Sequence, residues 1–163
     1  MKITAIYGTD RPGSTAAIAR MTAAAIDGAE LTEFFLPRDF SGFCSGCGVC
    51  FFKDAALCPH RDALRPILDS LSDCDVMIWA TPCYVMDMTG PLKAFLDHTG
   101  SMFMVHRPES AMFRKTAVMI STAAGGGAKD SVRSRPGHAP LGRCAQAIYN
   151  NERAFPRLGR RFR

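Results

Sequence analysis

The amino-acid sequence predicts an α/β domain in which a doubly wound parallel β-sheet carries helices on both faces. Three observations lead to this prediction. The chain has 163 residues, the length of one ordinary domain. Short apolar runs of strand length alternate along it with segments of helical periodicity. Strands that alternate with helices form right-handed βαβ units, and such units build a parallel sheet.

Four segments have the composition of β-strands. Three are almost continuously apolar, as expected for central strands that are covered on both faces: Lys2–Tyr7, Asp75–Ala80 and Thr116–Ser121. The fourth, Leu31–Leu36, mixes polar and apolar residues, so we expect it nearer an edge of the sheet.

The first helical segment follows the first strand. Ser14 and Thr15 are suitable capping residues for a helix that continues to about Ile26. Its buried side is expected to carry apolar residues at helical spacing, namely Ile18, Met21 and Ala25.

Two further helices are recognised by apolar spacing. In the second helix, residues three and four positions apart are apolar: Leu64, Ile67, Leu68 and Leu71. Proline is tolerated in the first turn of a helix, so Pro66 places the start of this helix near Asp62. The third helix is opened by Pro91 and carries Leu92, Phe95 and Leu96.

The net charge of +5 comes from the end of the chain. Residues 130–163 contain eight arginines and two carboxylates, whereas in residues 1–129 there are 12 basic and 13 acidic residues. No aromatic platform or recognition helix accompanies the basic segment, so we expect no specific nucleic-acid partner. No apolar run has the length of a membrane span or of a signal-peptide core. We therefore expect a cytoplasmic protein without a membrane partner, and its seven cysteines indicate metal or redox chemistry rather than disulfides.

Three loops are expected to form the ligand-binding edge. In doubly wound sheets, ligands bind beyond the carboxyl ends of the strands, where the strand order reverses. The loops that leave the first, third and fourth strands are residues 8–15, 81–90 and 122–127.

The first loop is suited to a phosphate group. It opens a helix, whose N-terminal amides favour an anion, and it offers hydroxyl and guanidinium donors from Thr9, Arg11, Ser14 and Thr15. Ser14 stands where a Walker A loop requires lysine, and no G-x-G-x-x-G fingerprint is present. A single phosphate monoester therefore fits better than a triphosphate or a pyrophosphate, although a plain βα turn remains an alternative.

The other two loops favour a flat apolar ligand portion. Tyr84, Val85 and Met86 are apolar residues of the second loop, and they would contact a ring system or a second subunit. The third loop, 122–127, consists of small residues, which let backbone amides approach a ligand closely.

The three loops together resemble those of the flavodoxin-like NAD(P)H-dependent FMN reductases. The similar segments are Gly8-Thr9-Asp10-Arg11-Pro12-Gly13-Ser14-Thr15, Thr81-Pro82-Cys83-Tyr84 with the helix from Gly90 to His98, and Ser121-Thr122-Ala123-Ala124-Gly125-Gly126. The resemblance implies a flavodoxin-like fold and FMN as cofactor. It implies a phosphate site at Thr9, Arg11, Gly13, Ser14 and Thr15, and ring contacts at Pro82, Cys83, Tyr84, Val85, Thr122 and Gly125. Asp10 departs from the family pattern, which has proline there.

A cysteine-rich loop at residues 41–59 has the spacing Cys44-x2-Cys47-x2-Cys50-x7-Cys58. This spacing is similar to that of ferredoxin-type thiolate ligands and to the compact motif of iron–sulfur flavoproteins, a branch of the same family. The resemblance implies a four-iron four-sulfur cluster on these four thiolates. A structural zinc site, a dithiol redox pair and plain thiols without metal are the alternatives.

The remaining cysteines and histidines do not indicate a catalytic site. Cys74 and Cys83 are expected to be small buried hydrophobic residues. His98 and His106 have no partners at metal or triad spacing, so we expect them at surface or helix-end positions.

The resemblance ends after Lys129. We expect a flavodoxin-like FMN-binding domain at residues 1–129 and a basic, disordered or aberrant tail at residues 130–163. Since the tail contains three prolines and no continuous strand-forming run, four of the usual five strands are predicted. Only 144–149 is suited to a short ordered piece. A shifted reading frame and a basic arm for a partner are both compatible with this composition.

The resemblance implies an FMN-dependent oxidoreductase that uses NAD(P)H to reduce a flavin, a quinone or another small acceptor. The flavin supplies the chemistry, so no catalytic side chain is assigned. The alternative is a noncatalytic electron-transfer protein that docks to a redox partner. A homo-oligomer is expected in either case.

Overall fold

The computed structural model describes residues 1–103, 110–124 and 143–150. Five strands form one sheet: β1 (Lys2–Tyr7), β2 (Glu30–Phe35), β3 (Val76–Pro82), β4 (Thr116–Ala123) and β5 (Arg143–Asn150). All neighbouring strands are parallel, and their order is β2-β1-β3-β4-β5. As predicted from its mixed composition, β2 is an edge strand.

The helices connect these strands. They are α1 (Ser14–Ala24), α2 (Val49–Phe52), α3 (Arg61–Asp73), α4 (Gly90–His98) and α5 (Gly100–Phe103), with short 3₁₀ segments at Ala55–Leu57 and Ser110–Arg114. The segment between β2 and α3 contains the cysteine loop.

Side chains from successive strand positions enter two different cores. One core packs α3 and α4 against the sheet and includes Met77 and Trp79 of β3. The other packs α1 against the opposite face and includes Val76, Ile78 and Ala80 of the same strand. This alternation is the period of two of a strand buried on both faces. The doubly wound, flavodoxin-like α/β fold predicted from the sequence is confirmed.

The strand order reverses next to β1. The chain passes from β1 to β2 on one side and then crosses to β3 on the other. The loops that follow β1 and β3 therefore diverge at this point and leave a crevice at the carboxyl edge.

The structure corrects the predicted number of strands from four to five. Strand β5 lies inside the segment that was expected to be a disordered or aberrant tail, and it pairs with β4 from Thr116↔Arg143 to Ala123↔Asn150. It includes the 144–149 piece suited to order. Prolines lie on both sides of this strand but not within it. The proline content of the whole tail therefore gave no indication of a short strand between them.

Two helices differ in detail from the prediction. Gly13, rather than Ser14 or Thr15, is the N-cap of α1, and Met21 of this helix is exposed. Pro66 lies beyond the first turn of α3. Its ring removes the amide that would bond to the carbonyl of Asp62, but both residues are exposed, so water can replace the missing donor.

Candidate functional site

Hydrogen bonds tie the first loop to the second at the carboxyl edge of the sheet. The Gly8 amide donates to the Ala80 carbonyl at 2.8 Å, and the Thr89 hydroxyl donates to the Gly8 carbonyl at 2.6 Å. The Thr89 amide in turn donates to the Thr81 hydroxyl at 3.2 Å. A Cβ atom on Gly8 would lie 2.5 Å from Thr89 Oγ1, so this close approach requires glycine.

The third loop joins this arrangement through Thr122. Its hydroxyl shares a hydrogen bond with the Thr15 hydroxyl at 2.6 Å, and its carbonyl accepts from the Cys83 amide at 2.7 Å. Thr122 therefore connects the start of α1 with the end of β3. The first two loops and the described part of the third, residues 122–124, are thus linked by hydrogen bonds at one edge of the sheet.

The first loop leaves the N-terminus of α1 available to an anion. No side chain caps this helix, and its first turn contains no acidic residue. Arg11 and Ser14 are exposed, and neither has an ion-pair or hydrogen-bond partner among the described side chains. The Thr9 hydroxyl donates a hydrogen bond to the Arg11 carbonyl at 3.4 Å. The free amides of the N-terminus of α1 thus lie in the same short loop as the Arg11 guanidinium and the Thr9 and Ser14 hydroxyls, and groups of these kinds favour an anion.

Asp10 has a partner that the sequence patterns did not indicate. Arg38 Nη1 lies 3.2 Å from Asp10 Oδ1, and the same guanidinium contacts Asp39 and covers the ring of Phe35 at 4.8 Å. The loop after β2 therefore supplies a cation that offsets the carboxylate in the phosphate loop.

The second loop contains a strained turn. Tyr84 and Asp87 exchange backbone hydrogen bonds at 2.9 and 3.2 Å, and the two central residues, Val85 and Met86, have φ values of 50° and 68°. Positive φ is unfavourable for a β-branched residue. The turn projects Tyr84, Val85 and Met86 into solvent, with Val85 98% exposed. The second loop therefore exposes an apolar surface, and Pro82 and Cys83, both partly exposed, precede it.

The four cysteines of the cysteine loop line one cavity of about 170 Å³. Gly46 and Gly48, with φ values of 68° and 70°, allow the chain to turn between successive cysteines. All four are free thiols, and burial, followed by the neighbouring cysteines, raises the pKa of Cys50. In the described parts of the chain, no three histidine, cysteine or acidic side chains are close enough to hold a metal ion as they stand.

Two histidines complete the wall of this cavity, and neither was predicted there. His60 follows the last cysteine of the loop, and His98 is the last residue of α4. Their rings are 4.9 Å apart, and His98 also contacts Phe40 edge-on at 5.1 Å. His98 was expected at a surface or helix-end position; it is at a helix end but buried. No local pattern signals this, because Phe40, His60 and His98 meet only through tertiary packing.

Cys74 does not line this cavity. Cys74 is buried, and its thiol donates to the Leu71 carbonyl at 3.3 Å. Burial raises the pKa of Cys74. Gly125 and His106 fall outside the described residues.

Among the described helices, none is long and apolar enough to span a membrane.

The chain matches known proteins over most of its length. The model of the NADPH-dependent FMN reductase family matches residues 1–142. An iron–sulfur flavoprotein from Methanosarcina thermophila is 26% identical over 141 residues, which are 82% of this chain and 70% of that protein. An iron–sulfur flavoprotein from Archaeoglobus fulgidus is 28% identical over 102 residues, which are 60% of this chain but 44% of the relative. The chain thus spans less than half the length of the Archaeoglobus protein.

Solved structures agree with the fold. An NAD(P)H:quinone oxidoreductase from Methanothermobacter marburgensis superposes with a TM-score of 0.71 at 13% identity, covering 93% of this chain and 85% of that one. An NADH:FMN oxidoreductase in its apo form gives a TM-score of 0.54 at 23% identity, covering 81% and 63%. At these identities the likeness establishes the flavodoxin-like fold.

Proposed function

Because the chain belongs to the NADPH-dependent FMN reductase family, we propose that it binds FMN at the carboxyl edge of its sheet and uses NAD(P)H to reduce a small acceptor such as a flavin or a quinone. The observation that supports this proposal is a connection between two loops. Thr122 links the uncapped N-terminus of α1, through its hydrogen bond with Thr15, to Cys83, which precedes the exposed apolar turn. A phosphate and a flat ring would each meet suitable groups there.

In this proposal, the first loop holds the phosphate of FMN. Thr9, Ser14 and Thr15 donate hydroxyl protons, Arg11 contributes a positive charge, and Gly13 lets the backbone approach at the N-terminus of α1. Arg38 keeps Asp10 from opposing the phosphate. A loop with a single anion position favours FMN over FAD.

The apolar turn and the end of β4 hold the ring system. Pro82, Cys83, Tyr84 and Val85 would lie against the isoalloxazine and exclude water from it, with Thr122 and Gly125 near its polar edge. Bound FMN supplies hydride acceptance and onward electron transfer, so the protein residues bind and orient and none acts as a general acid or base.

The cysteine cavity is proposed to hold a four-iron four-sulfur cluster on Cys44, Cys47, Cys50 and Cys58. The support is the location of all four thiols on one cavity wall and the names of the iron–sulfur flavoprotein relatives. Thiolates suit iron–sulfur clusters and zinc alike, so the donor set fits a metal centre once the loop closes on it. Iron, acid-labile sulfide and zinc analysis of anaerobically purified protein distinguishes a cluster, a zinc site and plain thiols.

A second function, electron transfer to a protein partner, is favoured by the surface around this cavity. Cys44 and Cys47 are exposed, and so are the apolar side chains of Phe43, Phe52 and Leu57, with Phe52 87% exposed. Such a surface suits docking of a redox protein. Steady NAD(P)H oxidation with a small acceptor supports the reductase, whereas flavin reduction that requires a protein donor supports the carrier.

We further propose a homo-oligomer in the cytoplasm, with no nucleic-acid or membrane partner. The exposed apolar side chains of Val85 and Met86 could contact a flavin and a second subunit at the same time. The cytoplasmic location is proposed because free thiols are typical of a reducing compartment.

The FMN site is tested by titrating FMN into the flavin-free protein and following its fluorescence. Replacing Arg11 and Ser14 together with alanine should weaken FMN binding by roughly 2–4 kcal/mol, since two bonds to a charged group are lost. Arg65→Ala is the matched control. It removes an exposed arginine of α3, outside the first loop, and should leave the affinity unchanged. Equal affinity of the double variant, or tighter binding of FAD than of FMN, contradicts the assignment.

A further inference from the structure

The start of α3 forms part of the wall of the cysteine cavity. His60 and Arg61, the N-cap and the first residue of this helix, line the cavity together with the four cysteines. The Arg61 amide donates to the Cys58 carbonyl at 2.9 Å, so the last cysteine of the loop is tied to the first turn of the helix. The positive end of the α3 dipole therefore lies at this cavity.

Arg61 is a cation without a carboxylate partner. The residue is partly buried, and its guanidinium takes part in none of the ion pairs between described side chains. Asp97, an acidic residue of the same wall, pairs with Lys93 instead. Within the described part of the chain, the cavity wall thus carries a positive charge that no carboxylate offsets.

The charge of Arg61 is unfavourable for the helix itself. Free amides in the first turn give a helix N-terminus a partial positive charge, so acidic residues are favoured there and a cation is not. Asp62, the next residue, follows this preference, whereas Arg61 opposes it. An anion in the cavity explains a basic residue at this position better than helix stability does.

We propose that Arg61, together with the N-terminus of α3, supplies the positive charge that stabilises an anionic metal centre in the cysteine cavity. Metal-bound cysteines are thiolates, so four of them make either an iron–sulfur cluster or a zinc ion a net anion. The inference rests on the proposed cysteine site but not on FMN binding or NAD(P)H oxidation. Because a nearby positive charge favours the more negative, reduced state of a cluster, Arg61 should raise its reduction potential.

The test is a redox titration of the full chain, reconstituted anaerobically with iron and sulfide and followed by electron paramagnetic resonance of the reduced cluster. Arg61→Gln should lower the reduction potential relative to wild type, and added salt should shrink the difference. Arg61→Lys keeps the charge and should stay close to wild type. Arg65→Gln is the matched control, because Arg65 lies on the same helix, pairs with Asp69 and does not line the cavity.

A second measurement covers a site of the zinc type. Co²⁺ is titrated into the metal-free full chain in competition with a chelator of known affinity. Arg61→Gln should bind Co²⁺ about two- to fivefold more weakly than wild type, the range expected for a partly exposed charge pair. FMN titration of the same samples reports folding separately.

The outcomes separate the role of Arg61 from the cysteine site on which it rests. A wild-type centre whose potential and Co²⁺ affinity are unchanged in Arg61→Gln overturns the role of Arg61 alone. Changes of equal size in Arg61→Lys or in Arg65→Gln overturn it as well, because they would not follow the charge at this position. A wild-type chain that binds neither a cluster nor Co²⁺ overturns both the cysteine site and this inference.

Discussion

At the residue scale, the ion pair next to the proposed phosphate loop bears on how well that loop would hold an anion. Asp10 and Arg38 are each about half exposed and form an ion pair at 3.2 Å. An exposed pair of this kind contributes less than about 1 kcal/mol to stability, but it also determines the charge next to the proposed phosphate.

Arg38→Gln should weaken FMN binding by up to about 1 kcal/mol, because Asp10 is then left unpaired beside the phosphate. Asp10→Asn should strengthen binding by a similar amount, and the double variant should return to near the wild-type affinity. FMN titrations at low and high salt measure both changes, which should shrink as salt screens them. Arg38→Gln with unchanged affinity at low salt would show that Asp10 does not face the phosphate.

Glu33 links three elements on the α1 face of the sheet. It accepts hydrogen bonds from Tyr7 at 2.6 Å and from Arg20 at 2.8 and 3.2 Å. Partial burial opposes the charged form of Glu33, but the bonds from Arg20 and Tyr7 outweigh it, so its pKa is lowered. Burial, followed by the bond to Glu33, raises the pKa of Tyr7.

A carboxyl group whose pKa is lower in the folded state stabilises the fold above its unfolded pKa, about 4.3 for glutamate, and loses this effect as the pH falls through the folded pKa. The difference in unfolding free energy between wild type and Glu33→Gln should therefore be largest near neutral pH and shrink below about pH 4.3. Urea unfolding across this range measures it, with Glu30→Gln on the same strand as the control. A difference that does not depend on pH would contradict the role of Glu33.

At the scale of elements, the turn from Tyr84 to Asp87 combines strain with exposure. Val85 gains no burial in return for its positive φ. We therefore propose that the Val85 side chain contacts a ligand or a partner rather than the rest of the fold.

Val85→Gly should raise the unfolding free energy by about 1 kcal/mol, because glycine adopts positive φ without steric strain. The same change should weaken FMN binding, because an apolar contact with the ring is lost. Urea unfolding and FMN titration measure the two effects. Val49→Gly in α2, where φ is helical, should instead lower stability. A Val85→Gly variant that is less stable, or that binds FMN as tightly as wild type, would contradict this account of the turn.

Elements with a strong local pattern were predictable from the sequence. The apolar runs of β1, β3 and β4 located the central strands because burial on both faces leaves few polar positions. The positions of the ligand-binding loops were predictable because ligands bind beyond the carboxyl ends of the strands in a doubly wound sheet. Positions that depend on tertiary packing were not predictable: His98 enters the cysteine cavity from α4, and Arg38 reaches Asp10 from the loop after β2. Neither contact has a signature in local sequence.

At the scale of the whole molecule, β5 determines whether the sheet is complete. It covers the outer edge of β4 along eight register pairs, from Thr116↔Arg143 to Ala123↔Asn150. An uncovered β4 would expose unpaired backbone groups and invite association with another chain. The domain therefore extends past residue 129 in the structure, at least through β5.

Ala145→Pro should disrupt β5, because proline cannot donate to a strand ladder and is disfavoured within a strand. Backbone amides of β4 should then exchange faster with solvent, while those of β1 keep their protection. Hydrogen exchange measured by mass spectrometry on both proteins reports this difference. Equal protection of β4 in the variant would show that β5 does not complete the sheet in solution.

An anaerobic titration followed by visible absorption tests whether the three proposed loops at the sheet edge hold FMN for reduction by NAD(P)H. The purified protein, saturated with FMN and freed of excess, is titrated with NADPH and, separately, with NADH. We expect a stoichiometric FMN spectrum that is bleached by at least one nicotinamide and restored by a quinone or free flavin. A protein that retains no FMN, or whose bound FMN is bleached by neither nicotinamide, would contradict it.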